Sequence, residues 1–290
     1  MNRCKEVLRV QLLRYAILVA GLALIPNKLL AQKEFYTPKS LFIPLHDQKN
    51  QLHVSFGRGG GYDVTLSYTF TNKLALFTAA TFDRGTKKRI SIIGDRYDVD
   101  RNDYALKGGL GYFSRTDNNE FPLLEAYVGA GIADVDNYWH FKGDADGEVT
   151  QARYWSVFGQ FNAGKRLAKS EYGLGLRVSY AQYTDFNFRS TYPNASARQS
   201  SYQNLRGLTA DPAISAGYTL HGVNVNAQVG VALPLMAPSV RRTDTHFAYE
   251  GSTETRSVIH SEDKVRLYSL IGRLSLQYKF NFNKPKQDSN

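Results

Sequence analysis

The sequence predicts an all-β chain folded as a transmembrane, antiparallel, up-and-down β-barrel of ten strands, with short periplasmic turns and long external loops. Three observations carry that expectation. The run 265–282, VRLYSLIGRLSLQYKFNF, is apolar or Gly at every even position from Tyr268 to Phe282, and polar at the odd positions except Ile271. A period of two puts these sets on opposite faces of one strand, and the run is well past the roughly 5 to 6 residues typical of soluble sheets. The same alternation recurs in nine further segments, and the connections between them alternate short and long. Finally, no apolar run of about 20 residues follows the N-terminal region, so the rest of the chain can cross a membrane only as strands.

The N-terminus reads as an export signal. Arg3, Lys5, Arg9, Arg14 and Lys28 surround one apolar run, AILVAGLALI at 16–25, which ends near Leu29-Leu30-Ala31. About ten apolar residues are half of a spanning helix but suit a signal-peptide core, and cleavage is expected after Ala31. An uncleaved anchor helix is the alternative. Cys4 precedes the apolar run and would leave with it, so the processed chain has no disulfide framework and no thiolate metal site. Of the formal charge of +10, residues 1–31 hold +4, leaving about +6 spread over some 260 residues. That is too diffuse to argue for nucleic acid. Residues 32–50 are expected to be a periplasmic lead-in, a short lumenal plug being the alternative; 51–282 form the barrel and 283–290 a periplasmic tail.

Taken in order, the expected strands are 51–57, 62–70, 74–82, 103–113, 121–133, 153–167, 172–183, 208–220, 223–233 and the run ending at Phe282. The clearest is 172–183, with Leu174, Leu176, Val178 and Tyr180 on one face and Gly173, Gly175, Arg177 and Ser179 on the other. Short connections at 71–73, 114–120, 168–171 and 221–222 are rich in turn formers, whereas 83–102, 134–152, 184–207 and 234–263 are long. Outer-membrane barrels put short turns in the periplasm and long loops outside, which orients the chain. The exception is the short external connection 58–61. If it were a bend, the count would drop by one; eight to twelve strands span the alternatives. Pro122, Pro212 and Pro234 are read as lying at or near strand ends, where a missing N–H is tolerated.

Under this topology Tyr62, Phe82, Tyr104, Trp155, Tyr183 and Tyr268 form an outer aromatic girdle. Phe70, Tyr112, Phe121, Tyr218, Phe280 and Phe282 form an inner one. A soluble β-sandwich would not place aromatics at both ends of nearly every strand. The segment GYDVTLSYTF-TNK-LALFTAATF at 61–82, the signal ending LLA-Q and the aromatic-ended last strand resemble the outer-membrane β-barrel proteins common in Bacteroidota. The resemblance implies a Gram-negative outer-membrane location among lipid. It also implies insertion by the barrel-assembly machinery, with Tyr278, Phe280 and Phe282 as the recognition signal, and it implies no common activity.

The charges expected to face the lumen are Asp63, Lys107, Glu125, Arg177, Arg273 and Lys279. A ten-strand barrel is narrow, so these must pair or meet water, and Lys107 with Glu125 on the neighbouring strand is the favoured pair. The alternatives are an ion-pair plug and a small, anion-favouring, porin-like channel. In the loop after the fifth strand, Asp144, Asp146 and Glu148 beside two glycines suggest either a weak Ca²⁺ site or a solvated acidic turn. Tyr138, Trp139, His140 and Phe141 before them are read as packed over the mouth or as a surface contact. A rim hydrolase would need His140, His246 or His260 beside a carboxylate or hydroxyl; His53 and Ser55 share a face of the first strand but lack a third member. The leading functional expectation is therefore a non-enzymatic barrel whose long loops bind a surface ligand or an envelope partner, with no cofactor.

Overall fold

The computed structural model describes residues 40–90, 96–141, 147–191, 197–236, 239–250, 253–264 and 269–282. Thirteen strands result: β1 (Gln51–Arg58), β2 (Tyr62–Thr69), β3 (Leu74–Ile90), β4 (Arg96–Arg115), β5 (Leu123–Phe141), β6 (Gly147–Arg166), β7 (Ser170–Thr191), β8 (Ala197–Gln203), β9 (Arg206–Leu220), β10 (Val223–Met236), β11 (Ser239–Glu250), β12 (Thr253–Lys264) and β13 (Ser269–Asn281). Ten of them close a wall in the order β1-β2-β3-β4-β5-β6-β7-β9-β10-β13, with β13 returning to β1. All neighbouring pairs are antiparallel. Closure leaves the wall without a free edge, which lipid requires.

The remaining three strands extend the outer end of β7 sideways. Asn187 to Ser190 of β7 pair with β8, β8 with β11, and β11 with β12. Much of what the sequence suggests as long loops is thus sheet. Strands β3 to β7 continue past the membrane, Ile90 facing Arg96 and His140 facing Gly147. The alternation that marks a lipid-facing strand fades there because both faces are wet, while the backbone ladder continues regardless.

The short connection at 58–61 is a hairpin, with Arg58 opposite Tyr62 and Gly57 opposite Asp63. In the β9–β10 turn His221 (φ 49°) and Gly222 (φ 86°) both take the left-handed conformation of a two-residue hairpin. Pro212 and Pro234 lie inside β9 and β10, not at strand ends. Each falls where the β9–β10 ladder is irregular: pairing skips from Gly230–Ala213 to Leu233–Ala210, and the register shifts between Pro234 and Met236. Proline, which has no N–H to give a ladder, is tolerated at such irregularities.

On the lipid face of β4, Tyr104, Leu106, Leu110 and Tyr112 are all exposed. The eight steps from Tyr104 to Tyr112, at roughly 3.3 Å each and ~40° tilt, span roughly 20 Å, close to the apolar band of such barrels. Above Tyr104 the same face turns polar around an open depression of about 400 Å³ lined by Asn102, Asp134, Asp136, Arg153 and Asp185, among others. Arg153 pairs with Asp134 at 2.9 Å there. Tyr62, Phe82 and Trp155 join Tyr104 in the outer girdle, but Tyr183 does not; it is buried on the lumen side. Tyr268 lies outside the described residues. The register between β6 and β7 slips at Arg153/Tyr154, leaving Thr184 as an extra residue. That bulge lets Tyr183 before it and Phe186 after it face the same interior, with ring centroids 6.0 Å apart.

Candidate functional site

The inside of the barrel is occupied by the chain itself. Residues 40–47, SLFIPLHD, run without regular secondary structure from mid-lumen, at the level of Arg177, down to the periplasmic rim where β1 begins, with Leu45 turned into the left-handed region (φ 50°). The expectation of a periplasmic lead-in therefore needs correction for this stretch. Leu41, Phe42, Ile43, Leu45 and His46 are buried. Leu41, Ile43 and Leu45 pack with Leu123, Ala213 and Ile271. Phe42 points the other way, stacking on Phe77 at 5.1 Å and meeting Tyr127 edge-on at 5.4 Å.

Room for this segment comes from inward glycines. A Cβ on Gly164 would lie 2.4 Å from Leu45 Cδ1, one on Gly173 2.8 Å from Ile43 Cγ2, and one on Gly175 2.9 Å from Leu41 Cδ2. The backbone of the segment, having no strand partner, bonds to wall side chains. Leu41 N–H donates to Gln228 Oε1 (2.9 Å) and its carbonyl accepts from Gln228 Nε2 (3.2 Å). The Phe42 carbonyl accepts from Asn162 Nδ2 (2.9 Å) and from Gln160. His46 N–H donates to Glu125 Oε1 (2.7 Å), Arg166 donates to the Leu45 carbonyl, and Arg177 donates to the Ser40 carbonyl at 3.3 Å.

The lumen-facing charges organise around this segment. Glu125 receives His46 N–H and Asn162 Nδ2 (2.9 Å). Lys107 is opposite Gly131, six residues along β5 from Glu125 and so roughly 20 Å from it. Adjacency of strands does not bring the two together; the Lys107 ammonium instead lies 5.9 Å over the Phe158 ring. Arg177 pairs with Asp211 at 2.9 Å, side chains 2% and 0% exposed. Arg273 crosses over Gly57 to reach Asp63 (Nε to Oδ1 2.7 Å), Ser55 (2.7 Å) and Ser275 (3.0 Å). A Cβ on Gly57 would lie 2.8 Å from Arg273 Nε, so only glycine leaves that path open. Lys279 reaches Glu171 at 2.6 Å, and Arg166 ties Glu171 (3.0 Å) to Asp47 (2.9 Å).

Asp211, Glu171 and Arg166 are the partners the sequence reading missed. Glu171 has the inward parity of Gly173 and Arg177, a signal that could have found it. Asp211 sits in LTADPAISAGYTL, where small residues blur the alternation. His46 was missed as well: its Nε2 is 2.8 Å from Ser67 Oγ and its Nδ1 3.0 Å from Gln51 Oε1. This is the geometry of a hydroxyl–imidazole–amide relay, but His46, Ser67 and Gln51 are all sealed in the interior, so no substrate carbonyl can reach the hydroxyl.

The outer half of the lumen is filled by a second cluster, with Val135, Tyr154, Tyr183, Phe186, Phe188, Leu205 and Val240. At the rim, Tyr138, Trp139 and His140 lie on β5, not in a loop, and are half-buried. Period two divides them: Tyr138 and His140 share the outer face with Asp134 and Asp136, and Trp139 takes the lumen side. The side chain of Phe141, and Asp144 and Asp146, lie outside the described residues; Glu148 is on β6. His140 Nε2 is 3.6 Å from Asp100 Oδ2, and its ring stacks on Tyr138 at 4.8 Å. Asp100 also accepts from Thr86 Oγ1 at 2.5 Å. His260 Nδ1 is 3.1 Å from Thr243 Oγ1, and His246 stands opposite Arg198 and Ser257. At the other end of the wall Tyr278 and Phe280 are exposed on the lipid face of β13, 4.3 Å apart, and Phe282 is exposed just past its end.

No protein-family model and no curated protein sequence matches the chain. Among solved structures it is similar to the outer membrane protease OmpT from Escherichia coli, at 10% identity and TM-score 0.50, covering 80% of this chain and 94% of that one. It is also similar to the translocator domain of autotransporter NalP from Neisseria meningitidis, at 12% identity and TM-score 0.40, covering 79% and 86%. A third is a major outer membrane protein from Thermus thermophilus, at 13% identity and TM-score 0.32, covering 79% and 99%. With the girdles, the apolar belt and the closed wall, the first likeness shows the fold: a ten-strand antiparallel barrel of the outer-membrane type.

Proposed function

We propose that the chain is a non-enzymatic outer-membrane barrel, sealed along its axis, that presents its outer rim and the β8–β11–β12 sheet to a surface ligand or an envelope partner. The observation that carries this reading is the filled interior. The 40–47 segment, the Arg177–Asp211 pair and the Tyr183–Phe186 cluster occupy successive levels of the lumen, where Arg177, Arg273 and Lys279 are ion-paired and Glu125 is hydrogen-bonded instead of lining a water path. Tyr138, Trp139 and His140 are the rim residues offered for contact. Export by a signal peptide cleaved after Ala31 fits this placement. So does assembly by the barrel-assembly machinery through the exposed Tyr278, Phe280 and Phe282, in the manner of Bacteroidota-type barrels.

The test is a planar-bilayer recording on the purified full chain. No stable conductance step is expected; anion-selective steps would replace this reading with the channel. A second reading, a rim hydrolase, is favoured by one observation, the Asp100–His140 approach at 3.6 Å held by Thr86 and Tyr138. It requires peptide or ester hydrolysis that His140→Ala abolishes, and hydrolysis unchanged in that variant removes it.

A further inference from the structure

Strand β12 ends the external sheet. Among the described residues its backbone pairs with β11 alone, from Glu250 opposite Thr253 to Ser239 opposite Lys264. Residues 255–262 are all exposed, with Val258 at 46% and Ile259 at 52%. A long strand with one open edge and apolar residues at its centre is a template for another strand.

The charge pattern of β12 points to its own copy as the partner. When two copies of one strand pair antiparallel about a two-fold axis, opposed residues share a face, so the axis must pass through a residue position. Through Val258, the axis would set Arg256 against His260. Through His260 it would set Val258 against Glu262. Through Ile259 it sets Arg256 against Glu262, a pair made twice by symmetry, with Ser257 facing Ser261. Of these three registers, opposite charges meet only in the last. Arg256 and Glu262 reach that position with loose local partners: the Phe247 ring at 6.0 Å and Ser239 Oγ at 3.2 Å.

We propose that the open edge of β12 docks a second copy of this chain, strand against strand, in register about Ile259. The proposal rests on the reading of the β8–β11–β12 sheet as a contact surface and names its occupant; it does not depend on whether the lumen conducts.

The experiment uses the full chain purified in detergent, with Cys4→Ser so that no native thiol remains, and single cysteines placed at 258, 259 and 260. With added oxidant, Ile259→Cys is expected to cross-link into a dimer and Val258→Cys and His260→Cys are not. Equal cross-linking at 258 or 260 overturns the register, and a monomer at every concentration up to about 1 mM, the weak limit of specific association, overturns the dimer. Charge exchange supplies the second measurement. Arg256→Glu and Glu262→Arg, each alone, are expected to raise the dimer Kd roughly tenfold or more, since each sets like charges opposite at two positions. Mixed together, the two variants regain association as a heterodimer, and so does the double variant with itself. Failure of the mixture to associate also overturns the proposal. Retained heat-modifiable migration on SDS gels shows that each variant is still a closed barrel, so loss of the dimer reports on the edge. Conductance, read separately, reports on sealing.

Discussion

Replacing Phe42 with alanine should release residues 40–47 from the lumen while the barrel stays closed. The balance holding the segment is small. Its four large apolar side chains contribute about 2 kcal/mol apiece on burial, and its seven wall-to-backbone hydrogen bonds about 1 kcal/mol apiece. Ordering eight residues costs about 1.5 kcal/mol apiece. The segment is therefore held by about 3 kcal/mol, and an opening of that size protects its amides from hydrogen exchange by about a hundredfold. Phe42 is the largest member, in contact with Phe77, Tyr127 and His53, and its truncation costs about 3 to 5 kcal/mol. That is enough to reverse the balance. Exchange followed by mass spectrometry should show the amides of Leu41 and His46 losing protection in Phe42→Ala, with β4 to β7 unchanged and heat-modifiable migration retained. Two results would refute the reasoning: protection at 41–46 that survives the substitution, or protection lost equally from wall and segment, which would make the segment part of the barrel's own cooperative unit.

Further outcomes follow from the same structure. Gly173→Val places side-chain atoms where Ile43 and Ser215 already lie, each 2.8 Å from a Cβ; the exchange protection of 40–47 should again fall, by tenfold or more, without loss of the folded band. Arg177→Met leaves Asp211 buried without its ion pair and should cost about 3 to 5 kcal/mol, read as a lower unfolding temperature on SDS gels. Arg177→Met with Asp211→Leu should recover most of it. Leu110→Arg, on the lipid face of β4, should cost about 2 to 4 kcal/mol in urea-dependent refolding into vesicles, whereas Asn102→Arg, above the girdle on the same face, should cost about 1 kcal/mol at most; equal costs would mean that the membrane edge does not lie at Tyr104.

The wall was legible because lipid on one side and packing on the other force a two-residue period, and ten segments show it from 51–57 through to Phe282. Strand ends were less so. Beyond Phe82 the chain reads DRGTKKRI, polar on both faces, and only the ladder to β4 keeps it extended. Register was not legible at all, which is why Lys107 and Glu125 looked like a pair: turn geometry, not strand adjacency, sets which residues face each other. The lumenal segment carried a faint signal in Leu41, Ile43 and Leu45 on one parity and Phe42 on the other. Its confirmation needed Gly164, Gly173 and Gly175, which lie more than a hundred residues away and become a groove only when β6 and β7 are side by side.

The position of the 40–47 segment also constrains the order in which the molecule can be made. The segment runs directly into β1, and β1 is one lip of the seam that β13 closes. A chain that zipped this seam first would have to thread its own leading end back up through the finished ring. The direct route lays the segment across the open, curved sheet while β1 is still unpaired on that side, with the last strand then closing over it. In that route the final pairing event, β13 against β1, is also the one that encloses the segment.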